Sequence, residues 1–291
     1  MTIAVLSRSL GRQCGISEYA ICLANRLGGV AVQSVDEIPS GATPIFIQYE
    51  PSLYRGVSDL LNEISAIEGF PVVDVHTEIP GDIVSILVSA LKGSAIVGVK
   101  RGPREGRTWY LPHISYASVG VYEPPPSEIH LGSFGFALPN KKYELIVEIA
   151  LRLHVPLTIL SAIANATPGI EALSHGYIDY LRAVSYSSPN IEIIDDFLTH
   201  KQIVKKLREC SHLVCAMDDL NRTSGSMRMM ALAGRPIIGL PCAGAEEVGS
   251  VVVENLSDVT LEFLSQHLPL PSFSDGLDQY LQLLHSLEIH V

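Results

Sequence analysis

Short apolar runs alternate with stretches of helical periodicity through the first part of the chain. Continuous apolar runs separated by amphipathic segments are typical of a parallel sheet with helices on both faces. In the first predicted helix, apolar side chains recur three or four positions apart, and Gly28-Gly29 predicts its end. The predicted strands are 3–6, 44–48 and 71–75, and the predicted helices begin near Ser17 and cover 58–67.

The same alternation begins again after a proline-rich segment. Three consecutive prolines, Pro124 to Pro126, remove backbone donors and favour a stiff, extended chain, which predicts a boundary between domains 1–122 and 123–272. The region 273–291 contains an amphipathic segment, 274–287, which predicts a helix able to pack back on the first domain. The later predicted strands are 128–134, 157–160, 191–194, 213–216 and 236–240, and the later predicted helices are 142–153, 201–210 and 225–233.

Composition narrows the class of protein. A length of 291 residues is comfortable for two α/β domains, and 47% hydrophobic with 18% charged residues indicates a globular chain. The net charge of −11 makes broad nucleic-acid binding unlikely. The most apolar window, 83–99, is interrupted by polar residues and predicts a helix, a turn and a strand, not a transmembrane segment. The N-terminus does not resemble a signal peptide, so a cytoplasmic location is expected.

Cysteine and acidic residues give little sign of metal or disulfide chemistry. The five cysteines are odd in number and lack a C-x-x-C pair, so we expect reduced, mostly buried thiols. No H-x-x-x-H or D-x-D pattern occurs, and no tightly bound metal is predicted. Asp218-Asp219, near Asn221, could still recruit a cation. No G-x-S-x-G sequence occurs either, which argues against an α/β-hydrolase.

The sharpest candidate for chemistry is Thr223-Ser224-Gly225-Ser226, directly before a predicted helix. A helix N-terminus presents free N–H groups and a partial positive charge, and small hydroxyl residues allow a phosphate to approach closely. Diphosphate binding is therefore one interpretation of this segment. An ordinary Ser or Thr N-cap is the other, and such caps are common.

Two cations accompany this segment. Arg228 lies one turn into the same helix, and Lys141 follows the glycine-rich turn that ends at Gly135. If both cations reached one diphosphate, they would neutralise the charge of a leaving group without a metal. Taken singly, each is more often a solvated surface charge than a ligand contact. The loop before the first helix, which ends at Gly15, could also approach a ligand, but it matches no phosphate-binding fingerprint.

Three more candidates follow predicted strands of the first domain. His76 could donate a hydrogen bond or pass a proton, and Glu50 and Glu78 could bind sugar hydroxyls or act as a base. The alternative for His76 is a structural role. For the two glutamates, the alternative is a loop charge that faces water.

Several segments together resemble one family, the retaining GT-B glycosyltransferases, a large nucleotide-sugar-dependent family that includes bacterial mannosyl- and glucosyltransferases. The likeness covers most of the chain, and the combined order and spacing are more specific than any single motif. The segments that carry the likeness are 14–19, 47–51, 75–80, 111–113, 132–142 and 224–236.

The resemblance implies an α/β fold of two Rossmann-like, doubly wound parallel-sheet domains that face a central cleft, with the donor held mainly by the second domain. It implies transfer of a sugar from a nucleoside-diphosphate sugar to a carbohydrate or other hydroxyl-bearing acceptor, without a further cofactor. Catalytic roles fall on His76, Lys141 and Arg228, and acceptor-side roles on Glu50 and Glu78. Donor contacts fall on Gly15, Gly135, Phe197, Leu198, Ser224, Gly225, Ser226 and Glu247.

The chain departs from the family pattern at three positions. Phe136 stands where many relatives have an arginine, and Asn221 and Met229 stand where the family has two glutamates. Recognition of the donor must therefore differ, and Arg228 could replace the missing positive charge.

Two alternatives to a hydroxyl-directed transferase stay open. One is a non-catalytic module that binds a nucleotide sugar or a protein, as the missing glutamates suggest. The other is a transferase that acts on modified nucleic-acid bases, against which the acidic composition argues. The sequence leaves the oligomeric state, the sugar, the base and the acceptor unassigned.

Overall fold

The computed structural model describes most of the chain and divides it into two compact units. The first unit comprises residues 1–115 together with 275–291, and the second comprises residues 116–274. The predicted boundaries, 122/123 and 272/273, adjoin residues outside the described part and stay predictions. The described residues are 2–12, 15–76, 82–91, 95–99, 108–111, 114, 124–165, 167–217, 225–272 and 276–288.

The first unit contains a parallel sheet flanked by helices. Its described strands follow the order β2-β1-β3-β4-β5-β6. Each residue of β4 is buried, as expected for a strand covered on both faces. The strands are β1 (Thr2–Leu6), β2 (Val30–Val32), β3 (Ala42–Tyr49), β4 (Pro71–Val75), β5 (Ile96–Val99) and β6 (Thr108–Tyr110). The helices are α1 (Gly15–Leu27), α2 (Val57–Ser65), α3 (Asp82–Leu91) and, from the second passage of the chain, α10 (Leu277–Glu288).

The second unit contains another parallel sheet, with the order β12-β11-β10-β7-β8-β9 among the described strands. The strands are β7 (Leu131–Phe134), β8 (Leu157–Leu160), β9 (Ile191–Ile194), β10 (His212–Cys215), β11 (Ile237–Gly239) and β12 (Val251–Val252). The helices are α4 (Tyr143–Leu153), α5 (Pro168–Ser185), α6 (His200–Arg208), α7 (Gly225–Ala231), α8 (Ala243–Glu247) and α9 (Leu261–Leu264).

Apolar side chains cover both faces of the second sheet. Successive residues of a strand point to opposite faces, and β10 illustrates the consequence. Leu213 and Cys215 join one buried cluster with the methionines of α7. Val214 and the following Ala216 join another, with α4 and α5. The continuous apolar runs of the sequence therefore correspond to strands buried on both faces, and the predicted α/β class is confirmed.

The end of α1 follows the prediction from its glycine pair. Gly28 adopts a positive φ of 67°, and the Gly29 N–H donates to the carbonyl of Ala24 at 2.8 Å. A Cβ atom on Gly29 would lie 2.5 Å from the carbonyl oxygen of Ile3 in β1. Glycine is thus required both to end the helix and to let the chain pass close to the first strand.

The predicted elements recur in the structure with ends that move by a few residues. The longest described helix, α5, was not predicted. Its start carries a recognisable signal, because Thr167 caps the helix by accepting from the Ile170 N–H at 3.3 Å and Pro168 occupies the first turn. Within the described ranges, no helix has both the length and the apolar character needed to cross a bilayer.

Close packing at Gly132 gives a stability prediction. A Cβ atom there would lie 2.6 Å from Cys210 Sγ and 2.9 Å from Leu213 Cδ2. We therefore expect Gly132→Ala to lower the free energy of unfolding by about 1 to 3 kcal/mol, the usual cost of overpacking. Urea denaturation of the full chain measures the effect.

Gly176→Ala is the matched control. Gly176 lies in the interior of α5, and a Cβ atom there would meet nothing within 4 Å. We expect this variant to gain about 0.5 to 1 kcal/mol, because alanine favours the helix over glycine. Equal stability of Gly132→Ala and the unaltered chain would contradict the described close approach.

Candidate functional site

The strand order of the second unit defines a switch point between β7 and β10. From β7 the sheet grows in one direction through β8 and β9, and in the other direction through β10, β11 and β12. This is the strand order of dinucleotide-binding folds, in which ligands bind beyond the carboxyl ends of the strands at such a point. The loops after β7 and β10 are therefore the first place to look for a site.

Gly135, directly after β7, is the point at which three side chains meet. Its φ is 155°, and a Cβ atom there would lie 2.8 Å from Tyr143 Oη, 2.9 Å from Ser226 Oγ and 3.1 Å from Lys141 Cε. Any larger residue would displace these groups. Gly135 thus allows the start of α7, the start of α4 and the Lys141 side chain to approach one another.

Lys141 lies at the end of a short 3-10 turn, Pro139–Lys141, whose backbone closes through the Lys141 N–H to the carbonyl of Leu138 at 2.9 Å. Its ammonium Nζ donates to Ser226 Oγ at 3.1 Å and to Met217 Sδ at 3.0 Å. Both acceptors are uncharged, so these two contacts hold the ammonium without cancelling its charge. The structure therefore brings together four of the predicted site residues, Lys141, Gly135, Gly225 and Ser226.

The environment of Lys141 contains groups that keep their protons. Burial raises the pKa of the Cys215 thiol, although the nearby Lys141 ammonium acts in the opposite direction. Burial also raises the pKa of the Tyr143 hydroxyl well above its usual range. At neutral pH neither of these two groups is therefore an anion.

Arg228 and Glu247 form a buried ion pair between α7 and α8. Arg228 Nη2 donates to Glu247 Oε1, and the two side chains are 2% and 15% exposed. The sequence predicts diphosphate contact for Arg228 and donor contact for Glu247, and both remain predictions. The structure adds that Glu247 pairs with Arg228, whereas Lys141 contacts Ser226 beside Gly135.

Two aromatic rings lie after β7 and β9. Phe136 and Phe197 are stacked, with ring centroids 6.3 Å apart and planes 24° from parallel. Phe197 is 39% exposed, and Leu198 packs against the cluster that contains the α7 methionines. Phe136, the residue that replaces the family arginine, thus forms part of an accessible aromatic pair.

His76 follows β4 in the first unit and is held on two sides. Its Nε2 lies 2.5 Å from Gln48 Oε1, and its ring meets the Tyr19 ring edge to face at 4.8 Å between centroids. The carbonyl of Glu50, after the neighbouring β3, accepts from the Leu53 N–H at 2.9 Å. His76 and Glu50 therefore follow adjacent strands of the first sheet.

The remaining predicted positions are less informative. Gly15 is the first residue of α1 and is exposed. Glu78 and Ser224 lie outside the described residues, as do Asp218-Asp219 and Asn221. Among the described residues, no group of three His, Cys, Asp or Glu side chains is arranged to hold a metal.

Sequence reasoning missed two partners of the predicted residues. Met217 offers no recognisable signal, because a methionine after a buried strand usually belongs to the core. Gln48 stands within the motif that includes Glu50, but a contact with His76 depends on the parallel pairing that places Gln48 beside Asp74. The contact between Gln48 and His76 could have been predicted if the order of the strands had been known.

Comparison with known proteins identifies solved structures with a similar fold. No protein-family model matches the chain, and no curated protein sequence matches it. Among solved structures, HepE from Anabaena in complex with UDP-glucose is similar with a TM-score of 0.63 and 13% identity, over 99% of each chain. Trehalose-6-phosphate synthase OtsA gives 0.60 and 9%, over 89% of each chain.

AviGT4, a glycosyltransferase involved in avilamycin A biosynthesis, gives a TM-score of 0.56 and 13% identity, over 98% of this chain and 96% of its own. At such identities the likeness concerns the fold. The chain has the two-unit α/β fold of the GT-B glycosyltransferases, as the sequence predicts.

The buried ion pair gives a second stability prediction. We expect Arg228→Met to lower the free energy of unfolding by about 3 kcal/mol or more, because Glu247 would be left as a buried charge without this partner. The double variant Arg228→Met/Glu247→Leu should lose less than the single variant, because it removes both charges. Urea denaturation measures both.

Arg182→Met is the control for loss of an arginine. Arg182 pairs with Asp195 at 2.8 Å, but the two side chains are 51% and 36% exposed. An exposed pair contributes at most about 1 kcal/mol. If Arg182→Met were as destabilising as Arg228→Met, burial of the Arg228 pair would not be the cause.

Proposed function

We propose that this protein is a retaining glycosyltransferase, which moves a sugar from a nucleoside-diphosphate sugar to an acceptor hydroxyl without a metal ion. The observation that carries the proposal is Lys141, whose ammonium is held by Ser226 and Met217 beside Gly135 at the switch point of the second sheet. The GT-B fold supports the choice of donor, since HepE has been solved with UDP-glucose.

The chemistry requires a positive charge at the leaving group. As the bond between the anomeric carbon and the diphosphate breaks, negative charge develops on the departing oxygen. The Lys141 ammonium and the Ser226 hydroxyl can donate hydrogen bonds to it, and groups that are already oriented stabilise such a charge most strongly. The acceptor oxygen forms the new bond on the same face of the sugar, and the proton of the acceptor hydroxyl passes to an oxygen of the departing diphosphate.

We assign supporting roles to the other predicted residues. Arg228 and Glu247 tie α7 to α8 and thereby orient Ser226. Phe197, with Phe136 stacked against it, offers an aromatic face to the donor base, because stacking suits any base. His76 contacts the transferred sugar or passes a proton, and Glu50 and Glu78 contact the acceptor.

Replacing Lys141 tests the leaving-group role. We expect Lys141→Met to lower kcat by about 10²-fold, as loss of one donor to a developing oxyanion does. Lys142→Met is the control, because it removes the same charge from the neighbouring residue, which caps α4 in a left-handed conformation with φ 49°. Equal activity of Lys141→Met and the unaltered protein, in a released-diphosphate assay, would refute this assignment.

Replacing Phe197 tests the base-stacking role. We expect Phe197→Ala to raise KM for the donor about tenfold with little change in kcat, because stacking a base on an aromatic ring contributes about 1 to 3 kcal/mol. Tyr186→Ala is the control, since Tyr186 is a 92% exposed aromatic residue of the same unit. A fall in kcat at constant KM would place Phe197 elsewhere in the reaction.

A panel of donors tests the function as a whole. UDP-, GDP-, ADP- and dTDP-sugars are compared by thermal shift and by released diphosphate, beginning with UDP-glucose. A ligand that binds the folded state raises Tm by mass action. Activity in EDTA checks metal independence, and the anomeric configuration of the product, read by NMR, checks retention. A chain that responds to none of these donors is not a transferase of this class.

A second function, nucleotide-sugar binding without transfer, is favoured by Met229. This residue takes the place of a family glutamate, and it is 2% exposed within an apolar cluster. The second function predicts a thermal shift with one of the donors but no release of diphosphate. Turnover above the rate without protein would exclude it.

A further inference from the structure

Three polar side chains are fully buried in the first unit and join its two chain segments. Asp74 of β4 and Tyr280 of α10 are 0% exposed, and Tyr19 of α1 is 1% exposed. Tyr280 Oη donates to Asp74 Oδ2 at 2.8 Å, and the hydroxyls of Tyr19 and Tyr280 lie 2.8 Å apart. The three groups form one hydrogen-bonded chain.

Counting protons shows which group donates in each of these hydrogen bonds. A tyrosine hydroxyl has one proton, and Tyr280 gives its proton to Asp74. Tyr280 can then only accept from Tyr19, so the Tyr19 hydroxyl is the donor. Burial raises the pKa of Tyr280 well above its usual range, and the Asp74 charge beside it acts in the same direction, so the hydroxyl keeps its proton.

The chain ends against His76. The Tyr19 ring meets the imidazole at 82° between planes, while Gln48 Oε1 accepts from Nε2 on another side. An amide oxygen only accepts, so in this arrangement Nε2 carries a proton. The ring of Tyr280 in turn packs against Phe46 at 5.6 Å between centroids. The imidazole orientation therefore depends on where Tyr19 is held.

A purely structural core would not need these polar groups. Burying a carboxyl group and two hydroxyls costs free energy unless each finds a partner, and apolar side chains would fill the same space without that cost. A chain of buried hydrogen bonds, by contrast, fixes its members in one arrangement. Here the hydrogen bonds between Asp74, Tyr280 and Tyr19 fix the ring of Tyr19, which contacts His76.

We propose that Tyr280, Tyr19 and Asp74 are positioning residues for His76. The helix α10 delivers Tyr280 to Asp74, the Tyr280 oxygen anchors the Tyr19 hydroxyl, and the Tyr19 ring sets the angle of the imidazole. The effect on turnover rests on the proposed function, in which His76 serves the transferred sugar. The orientation of His76 does not rest on it.

The test compares the unaltered, full-length protein with the variants Tyr280→Phe, Tyr19→Phe and Tyr19→Phe/Tyr280→Phe. Each substitution removes one oxygen and keeps the ring. We expect each single variant to lower kcat about tenfold, with a much smaller change in KM, because a misplaced group costs turnover more than donor affinity. The double variant should be no slower than the slower single variant, because both hydroxyls act in one chain.

A second readout does not require turnover. Nitrogen-15 NMR of the His76 imidazole should show shifted ring signals in both single variants. Tyr54→Phe is the control, since Tyr54 lies in the same unit but its Oη donates to Glu63, at 2.7 Å, and not to Asp74. It should leave kcat and the His76 signals unchanged.

Substitutions of Asp74 provide an independent check that keeps both tyrosines. Asp74→Asn retains an oxygen that accepts from Tyr280, so it should retain about half of kcat or more, whereas Asp74→Leu should lose as much as Tyr280→Phe. If both tyrosine variants lowered Tm but changed neither kcat nor the His76 signals, the chain would be structural only. Additive losses in the double variant would also overturn the proposal.

Failure of the proposed function would look different. If the unaltered protein transferred no sugar from any donor, the transferase would be rejected. The His76 ring signals would then decide the positioning proposal alone, and signals unchanged in all variants would reject it too.

Discussion

Neighbouring parallel strands cannot be joined by a tight turn, so each pair requires a connection that crosses one face of the sheet. In both units the described crossovers are largely helical, and their apolar sides cover strands that are themselves apolar on both faces. This requirement has a chemical consequence. All strands of a sheet end at one edge, and the polar loops that cannot be buried within the sheet collect there. Lys141, Gly135, Phe136 and Phe197 share that edge in the second unit because the sheet is parallel.

The sequence predicts those features of the fold that depend on local patterns. Buried strands such as β4 and β8 are short, continuous apolar runs, and their positions follow directly from the hydrophobic pattern. The helix α5 was not predicted, because its apolar face is narrow. Its ends also border loops of mixed composition. The strands β2, β6 and β12 have only two or three residues, too few to show a period.

In the candidate site, too, the sequence predicts the local features and not the contacts that depend on long-range pairing. Lys141 and Gly135 could be singled out because small and charged residues follow a buried strand. Their contact with Ser226 could not be derived, because it depends on β10 lying beside β7, which is a pairing of residues about eighty positions apart. The partnership of Arg228 with Glu247 likewise depends on the packing of α7 against α8. Long-range pairing is a property of the whole chain, and no local pattern encodes it.

The separation between Asp74 and Tyr280 has a consequence for how the protein is made. The two residues are 206 positions apart, yet they belong to one buried network. A ribosome that adds about 5 to 20 residues per second needs roughly 10 to 40 s to pass from one to the other. Throughout that interval the first sheet is without α10, while the second unit is being synthesised. The buried network of the first unit is therefore completed only after the whole second unit has been synthesised.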